Sequence, residues 1–518
     1  MVLLIATLLG VALAGSSFKP SEHWGQTSPY RPANFGIDPT GLPAGCSYEQ
    51  IHVLQRHTER YPTSGAHDAG YMTMFAAKVN RAKVLGDFLP LGRLEFLRSW
   101  EYELGTASLT PKGAAASAQL GAEFWSKYGR LLYEMPGEVR YNTSLRHSPV
   151  KPVFRTTNQA RMLESARWYI SGFFSNPNAT SSTELYDLVI IPEGGTENNT
   201  LAAYDSCPSL KVKGKSSQLA EIGVNERAKF ITRYAARAQK RLQKSLPKNL
   251  ELTTDDVFGM QSLCAYEMAA LGASDFCDLF KEQDWRDYDY ALSLSMYAGY
   301  SYGHPTGRAQ GLGYVQELIA RLQHRTIDSS TSSVNTTFDN NESSFGHFSQ
   351  PVIFDATHDA IIISVMTAMG LKFFNQTKGF MPSDIGKAPK KPTFRLSALT
   401  PFGAKLHTEV ISCPQDAIID YSENQLKYSL YTTYSQPSEK VDNVEYIRMK
   451  LNEGVLPIAT ELGCQNEGAK YGFCTLSEFL RVLEDVEANA QYDEVCYGSK
   501  VSQITGQVSN GNMDSVHL

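Results

Sequence analysis

The segment Leu54-Gln55-Arg56-His57-Thr58-Glu59-Arg60-Tyr61-Pro62-Thr63 sets an imidazole between two guanidinium groups. Imidazole is a competent nucleophile toward phosphorus, and covalent catalysis splits one hard step into two. Guanidinium groups hold phosphate oxygens in a planar fork and stay charged at any relevant pH. Alone, an Arg-His-x-x-Arg turn is read more simply as a surface turn with salt-bridged arginines. A second pair, His358-Asp359, joins an imidazole to a carboxyl group able to give a proton to a leaving alkoxide. Its plainer readings are a buried histidine bonded to backbone and an aspartate capping a helix.

These residues need elements to hold them. Ile51, Val53 and Leu54 predict a strand that ends at Arg56-His57, and the Tyr-Pro-Thr-Ser-Gly after it breaks regular structure. The apolar run Pro351 to Phe354 precedes His358-Asp359, and Ala360 to Met366 predicts a buried helix. The pair therefore sits at a strand-to-helix junction. Residues 66–140 and 215–325 read as mainly helical. Within them, Glu226 to Ser245 is rich in Lys and Arg and is expected to be a solvated helix face. Residues 326–350 read as an exposed loop. Strands and loops fill most of the remainder, with a helix near Leu476 to Ala490. The pattern predicts an α/β fold: a central sheet flanked by helices, with a second, mostly α-helical lobe. Residues 46–498 form one catalytic unit. Its α/β core comes from 46–65, 145–210 and 350–498, and its helical lobe from 66–140 and 215–325. An extended arm (15–45) precedes it, and a polar, disordered tail (499–518) follows. Ligands of such sheets bind beyond the carboxyl ends of the strands, where both histidine segments lie.

Bulk properties narrow the function classes. Among 518 residues, 48 Lys and Arg face 54 Asp and Glu, for a net charge of −6. That balance gives no basic stripe for a nucleic-acid partner. No run beyond the N-terminus approaches the ~20 apolar residues of a membrane span. Met1 to Ala14 is apolar and ends in Ala12-Leu13-Ala14, the pattern of a signal peptide, so the chain is expected to be secreted, outside the cell or in its wall. Eight cysteines are present: Cys46, Cys207, Cys264, Cys277, Cys413, Cys464, Cys474 and Cys496. None forms a CxxC pair, so no metal site is expected, and secretion makes them four disulfides in any of about 105 pairings. Sequons begin at Asn142, Asn178, Asn198, Asn335, Asn341 and Asn375, and glycosylation is expected at several of them.

Taken together, the motifs resemble the histidine acid phosphatases, whose usual signature is RHGxRxP, and in particular the branch holding the fungal phytases. His358-Asp359 resembles the family's second signature. Phe154-Arg155-Thr156-Thr157, with Arg161 and Ser165-Ala166, resembles a third, phosphate-binding segment. Gly307 to Leu318 resembles a structural stretch of the fungal members. The likeness runs from Cys46 to Cys496 and implies a phosphoglycerate-mutase-like sheet. It implies that His57 becomes a phosphohistidine and that Asp359 protonates the leaving group. Arg56, Arg60, Arg155 and His358 would hold the phosphate, with no cofactor. It also implies the pairs Cys46–Cys413, Cys207–Cys496, Cys264–Cys277 and Cys464–Cys474. The implied substrate is a small phosphate monoester, phytate included. A general acid phosphatase without phytase activity and an inactive secreted glycoprotein of the same fold are the alternatives. Thr58 replaces the family's usual Gly, and Glu59 sets a carboxylate beside the anion site; both bear on substrate preference.

Overall fold

Eight strands form one mixed sheet in the computed structural model. The structure describes residues 18–37, 41–43, 45–65, 68–135, 141, 151–176, 184–194, 196–212, 215–376, 381–415, 443–466, 468–499, 507–513 and 516–517. The expected signal peptide lies outside them, as do Asn142 and Asn178. In chain order the strands are β1 (Ser47–Arg56), β2 (Val153–Thr157), β3 (Asp187–Ile191), β4 (Val352–Thr357), β5 (Lys405–Pro414), β6 (Asn443–Leu451), β7 (Gly454–Val455) and β8 (Cys474–Thr475). Their order in space is β8-β6-β5-β1-β4-β2-β3, with β7 on β6. The four strands β1, β4, β2 and β3 run parallel, so their carboxyl ends share one edge of the sheet. β5 returns antiparallel beside β1.

The main helices are α1 (Ala69–Leu85), α2 (Pro111–Phe124), α3 (Ala160–Phe173), α4 (Ile222–Tyr234), α5 (Thr254–Ala270), α6 (Glu282–Tyr300), α7 (Ala309–Leu322) and α8 (Asp359–Ala368). Every residue of β4 is buried, as a parallel strand covered on both faces must be. Alternation divides the sides. Ile51, Val53, Phe154 and Phe354 pack with Phe124, Tyr169 and Phe173 of α2 and α3. On the other face Leu54 and Leu406 join Leu312 of α7 and Ile361 to Ile363 of α8. That second cluster continues through Met72, Phe258 and Tyr288 into the helical lobe built by α1, α4, α5 and α6.

Five segments depart from expectation. Residues 111–124 and 309–322 were expected in the helical lobe, but they flank the sheet, packed on α3 and on α8. α2 and α3 meet so closely that a Cβ on Gly172 would lie 1.8 Å from the Ala118 carbonyl oxygen. The loop 326–350 contains two short helices and buries Ser333, Asp339 and Phe345. The N-terminal arm is not extended at 20–27: two 3-10 turns pack on α6. In the polar tail, residues 510–511 dock on the body. Arg308 gives its backbone N–H to Gly511 and its Nε to the Asn510 carbonyl, and Gly511 in turn donates to Tyr302.

The four disulfides are Cys46–Cys413, Cys207–Cys496, Cys264–Cys277 and Cys464–Cys474, the same pairs that the resemblance implies. Two of them close spans of 367 and 289 residues, where cross-linking restricts the unfolded chain most.

Candidate active site

Each of the four parallel strands delivers a polar residue just past its carboxyl end. β1 ends in Arg56 and gives His57; β4 leads to His358 and Asp359. β2 leads into α3, whose first turn carries Arg161, and Glu193 follows β3. His57, Arg60, Arg161, His358 and Asp359 line one cleft of about 300 Å3. Its opposite wall comes from the helical lobe: Arg227, Phe258, Tyr266, Tyr288 and Tyr300. The N-terminal turns close one side with Gln26 and Thr27.

His57 Nδ1 lies 2.9 Å from the Thr58 carbonyl oxygen. That contact requires hydrogen on Nδ1, so Nε2 of the neutral ring keeps its lone pair. Burial, then Arg56, Arg161, Arg60 and His358, push the His57 pKa well below its ordinary value. The ring therefore stays neutral, and nucleophilic, in mild acid.

The Arg56 guanidinium is anchored on three sides. It donates to the carbonyls of Gln26 and Thr400, lies over the Phe402 ring and pairs with Asp359 at 2.9 Å. Burial lowers its pKa to about 10. Asp359 also accepts from the Ala360 N–H at 3.0 Å, at the start of α8. Burial would raise this carboxyl, but Arg56, then Arg60 and His358, hold it below the carboxylate range. Arg60 reaches Asp68 at 3.2 Å and the Tyr266 hydroxyl at 3.3 Å, which ties the turn after β1 to the helical lobe.

Arg161 has no ion-pair partner among the described residues, and its Nε is buried without a hydrogen bond. Burial and the neighbouring Arg60 lower its pKa. Nε of Arg56 and of Arg60 is likewise buried and unbonded. Unmet donors beside a neutral imidazole make a receptor for an oxyanion.

Arg155, expected to hold phosphate, does not reach the cleft. It sits in the middle of β2, opposite Asp355 of β4. Side chains alternate across a strand. With Phe154 toward α2 and α3, Arg155 must point under α7. There its Nε donates to Asp355, Nη1 to Asp339 and Nη2 to Glu317. All its nitrogens are spent on carboxylates, so the cleft position in this segment is filled by Arg161 instead.

The two departures from the family signature also find their places. The turn demands no positive φ of Thr58. Its hydroxyl donates to the Gly113 carbonyl at 2.7 Å and its N–H to Ser165 Oγ at 3.3 Å. The side chain thus faces α2 rather than the cleft. α2 can approach because residue 113 is glycine: a Cβ there would lie 2.1 Å from the Glu59 carbonyl oxygen. Glu59 is buried and does not line the cleft; burial raises its pKa.

Two groups, Glu193 behind His358 and Arg227 in the cleft lining, were not singled out from the sequence. Glu193 Oε1 lies 2.7 Å from His358 Nε2. Arg227 belongs to the basic run expected to be solvated. Arg233, Arg237 and Arg241 of that run pair with Asp384, Asp287 and Asp284, while Arg227 is 5% exposed, beneath the cleft and against the rings of Tyr71 and Phe258. Its helical position, one turn before Ile231, was the available signal.

Among the sequons, Asn341 is exposed. Asn198 donates its side-chain amide to the carbonyls of Ser332 and Val334, and Asn335 donates to the Asn198 carbonyl. Asn375 accepts from Tyr297. No helix among the described residues is long and apolar enough to cross a membrane.

Known proteins resemble this chain along most of its length. The profile of the histidine phosphatase superfamily (branch 2) matches residues 48–452. Phytase A of Aspergillus terreus is 31% identical over 492 residues, spanning 92% of this chain and 90% of that one. Phytase A of Aspergillus fumigatus is 29% identical over 485 residues, with the same coverage of 92% and 90%. Among solved structures, the phytase from D. castellii superposes with a TM-score of 0.69 at 22% identity, covering 96% of this chain and 94% of that one.

Proposed function

The chain belongs to the histidine phosphatase superfamily (branch 2), and we propose that it hydrolyses phosphate monoesters through a phosphohistidine at His57. The observation that carries this reading is the state of His57: neutral, held by Nδ1, and surrounded by arginines with unmet donors.

His57 Nε2 attacks phosphorus and the P–O bond to the leaving group breaks. Asp359 gives its proton to the departing alkoxide. Water then attacks the phosphohistidine, its proton returns to Asp359, and the P–N bond breaks to release inorganic phosphate. Arg56, Arg60 and Arg161 hold the non-bridging oxygens and stabilise charge that builds in the transition state. In the ligand-free cleft Asp359 is held ionised by its cations. A bound phosphate offsets those charges and raises the carboxyl's pKa, which lets it carry the proton in mild acid. The phosphate-binding set therefore contains Arg161 and omits Arg155.

Phytate is proposed as a substrate. The reading draws on the relatives named phytase A and on Arg227, a further guanidinium on the opposite wall for a second phosphate. A narrower reading has its own support: tyrosines and a phenylalanine, not lysines, make up most of that wall. Secretion is proposed from the apolar N-terminus and the four disulfides.

The experiment is an acid quench during turnover of p-nitrophenyl phosphate and of phytate, followed by peptide mapping. A phosphorylated peptide containing His57 is expected with either substrate. His57→Ala should lose about 10⁴-fold or more in kcat with its melting temperature kept. Phosphate on another residue, or substantial turnover by the variant, rejects the assignment.

A further inference from the structure

Glu193 has no part in the bond-making steps, yet its carboxylate is 2% exposed and fully engaged. Oε1 meets His358 Nε2 at 2.7 Å. Oε2 accepts from Gln159, the residue that caps α3, and lies 3.4 Å from the Tyr204 hydroxyl. Its own N–H donates to Asn158 Oδ1 at 3.0 Å. Burying a carboxylate is costly unless charge and hydrogen bonds compensate it. This one therefore locks three neighbours into place: the His358 ring, the start of the helix bearing Arg161, and Tyr204.

The orientation of His358 follows. With Nε2–H given to Glu193, a neutral ring has only a lone pair at Nδ1, which repels a phosphate oxygen. A doubly protonated ring has N–H at Nδ1 and donates. Nδ1 has no protein partner among the described residues, and the ring lines the cleft. The other groups around it are the His57 ring at 5.9 Å, the Tyr204 ring at 5.8 Å, Asp359 and, across Glu193, Arg161. Asp359 is committed to Arg56 at 2.9 Å. Glu193 is thus the carboxylate that holds the ring. Burial alone would raise the Glu193 pKa, but the bond to His358 holds it below the carboxylate range.

We infer that Glu193 is a positioning residue that fixes the His358 ring through Nε2, so that Nδ1 faces the scissile phosphate. The inference rests on the cleft being a phosphate-monoester site. It concerns the orientation of a binding group, not the nucleophile.

Glu193→Ala removes the acceptor that holds Nε2. Its kcat/KM for p-nitrophenyl phosphate should fall about 10- to 100-fold, the range seen when the partner that orients a ligating histidine is lost. The inhibition constant for inorganic phosphate should rise in parallel, because binding of the anion itself is weakened. Glu193→Gln, which keeps a carbonyl acceptor for Nε2–H, should recover most of the loss. No loss in Glu193→Ala, an unchanged inhibition constant for phosphate, or a Glu193→Gln no better than Glu193→Ala, overturns the inference. A wild-type protein inactive on p-nitrophenyl phosphate would instead overturn the reading of the site.

Discussion

Arg155 and Arg161 stand six residues apart in one segment, yet they occupy opposite electrostatic environments. Arg155 lies under α7 in a sealed cluster with Arg321. Between them they are bonded to Asp355, Asp339 and Glu317, all side chains at most 1% exposed. Arg161 lies at the cleft with no ion-pair partner among the described residues. The first environment holds more carboxylates than guanidiniums and has no capacity for an added anion. The second has a deficit of negative charge that a ligand can supply. Whether an arginine binds phosphate is thus decided by what the protein leaves uncompensated around it, more than by membership of a recognisable segment.

Matched substitutions test the contrast. Arg155→Met removes one partner of three buried acids, and breaking such a cluster costs about 3–5 kcal/mol of stability. A marked fall in melting temperature is expected, with kcat/KM per folded molecule near wild type. Arg161→Met should do the reverse. Losing one donor to a developing oxyanion costs about 10²- to 10³-fold in kcat, or about 2.7–4 kcal/mol. Its unfolding midpoint should stay within a few degrees of wild type. If the two phenotypes were exchanged, the assignment of ligand and scaffold arginines would be reversed.

The sequence exposed the parts of the site that follow directly from a strand end. β1 stops at Arg56 with His57 next, and β4 stops just before His358 and Asp359; apolar patterning marks both boundaries. Arg155 departs from its expected place because side chains alternate along β2: Phe154 packs toward α3, so its neighbour must face α7. Glu193 and Arg227 were not singled out because each acts across the chain. Glu193 is bonded to a residue 165 positions away, and Arg227 lies in a run whose other arginines face outward to acidic partners. The assignment of 111–124 and 309–322 to the helical lobe failed for a similar reason. Helical periodicity finds a buried stripe but does not say which surface will cover it. The tail's dock on Tyr302 and Arg308 runs largely through backbone groups, which leave no hydrophobic pattern to read.

The smallest expected effect probes how the sealed cluster balances its charge. Three carboxylates face two guanidiniums, so full ionisation would leave one buried negative charge in excess. Burial, and then the neighbouring Glu317, raise the Asp339 pKa to about 9. Asp339 Oδ1 accepts from Arg155 at 3.0 Å, and its carboxyl also meets Glu317, a side-chain contact between two carboxyl groups that needs a proton. Asp339 therefore holds the cluster's proton at neutral pH. In the unfolded chain an aspartate ionises near 3.9. Between that value and about 9 the folded state binds the extra proton, so stability falls as pH rises, and the fall ends once the folded carboxyl ionises. Asparagine keeps Oδ1 for Arg155 and has no proton to lose. Asp339→Asn should match wild type near pH 4 and exceed its melting temperature by a few degrees or less near pH 8, with unchanged kcat/KM. A midpoint difference that stays flat across this range would place the proton on Glu317 or Asp355. A gap that narrows as pH rises would mean that Asp339 is ionised in the fold and part of the charge balance that holds Arg155.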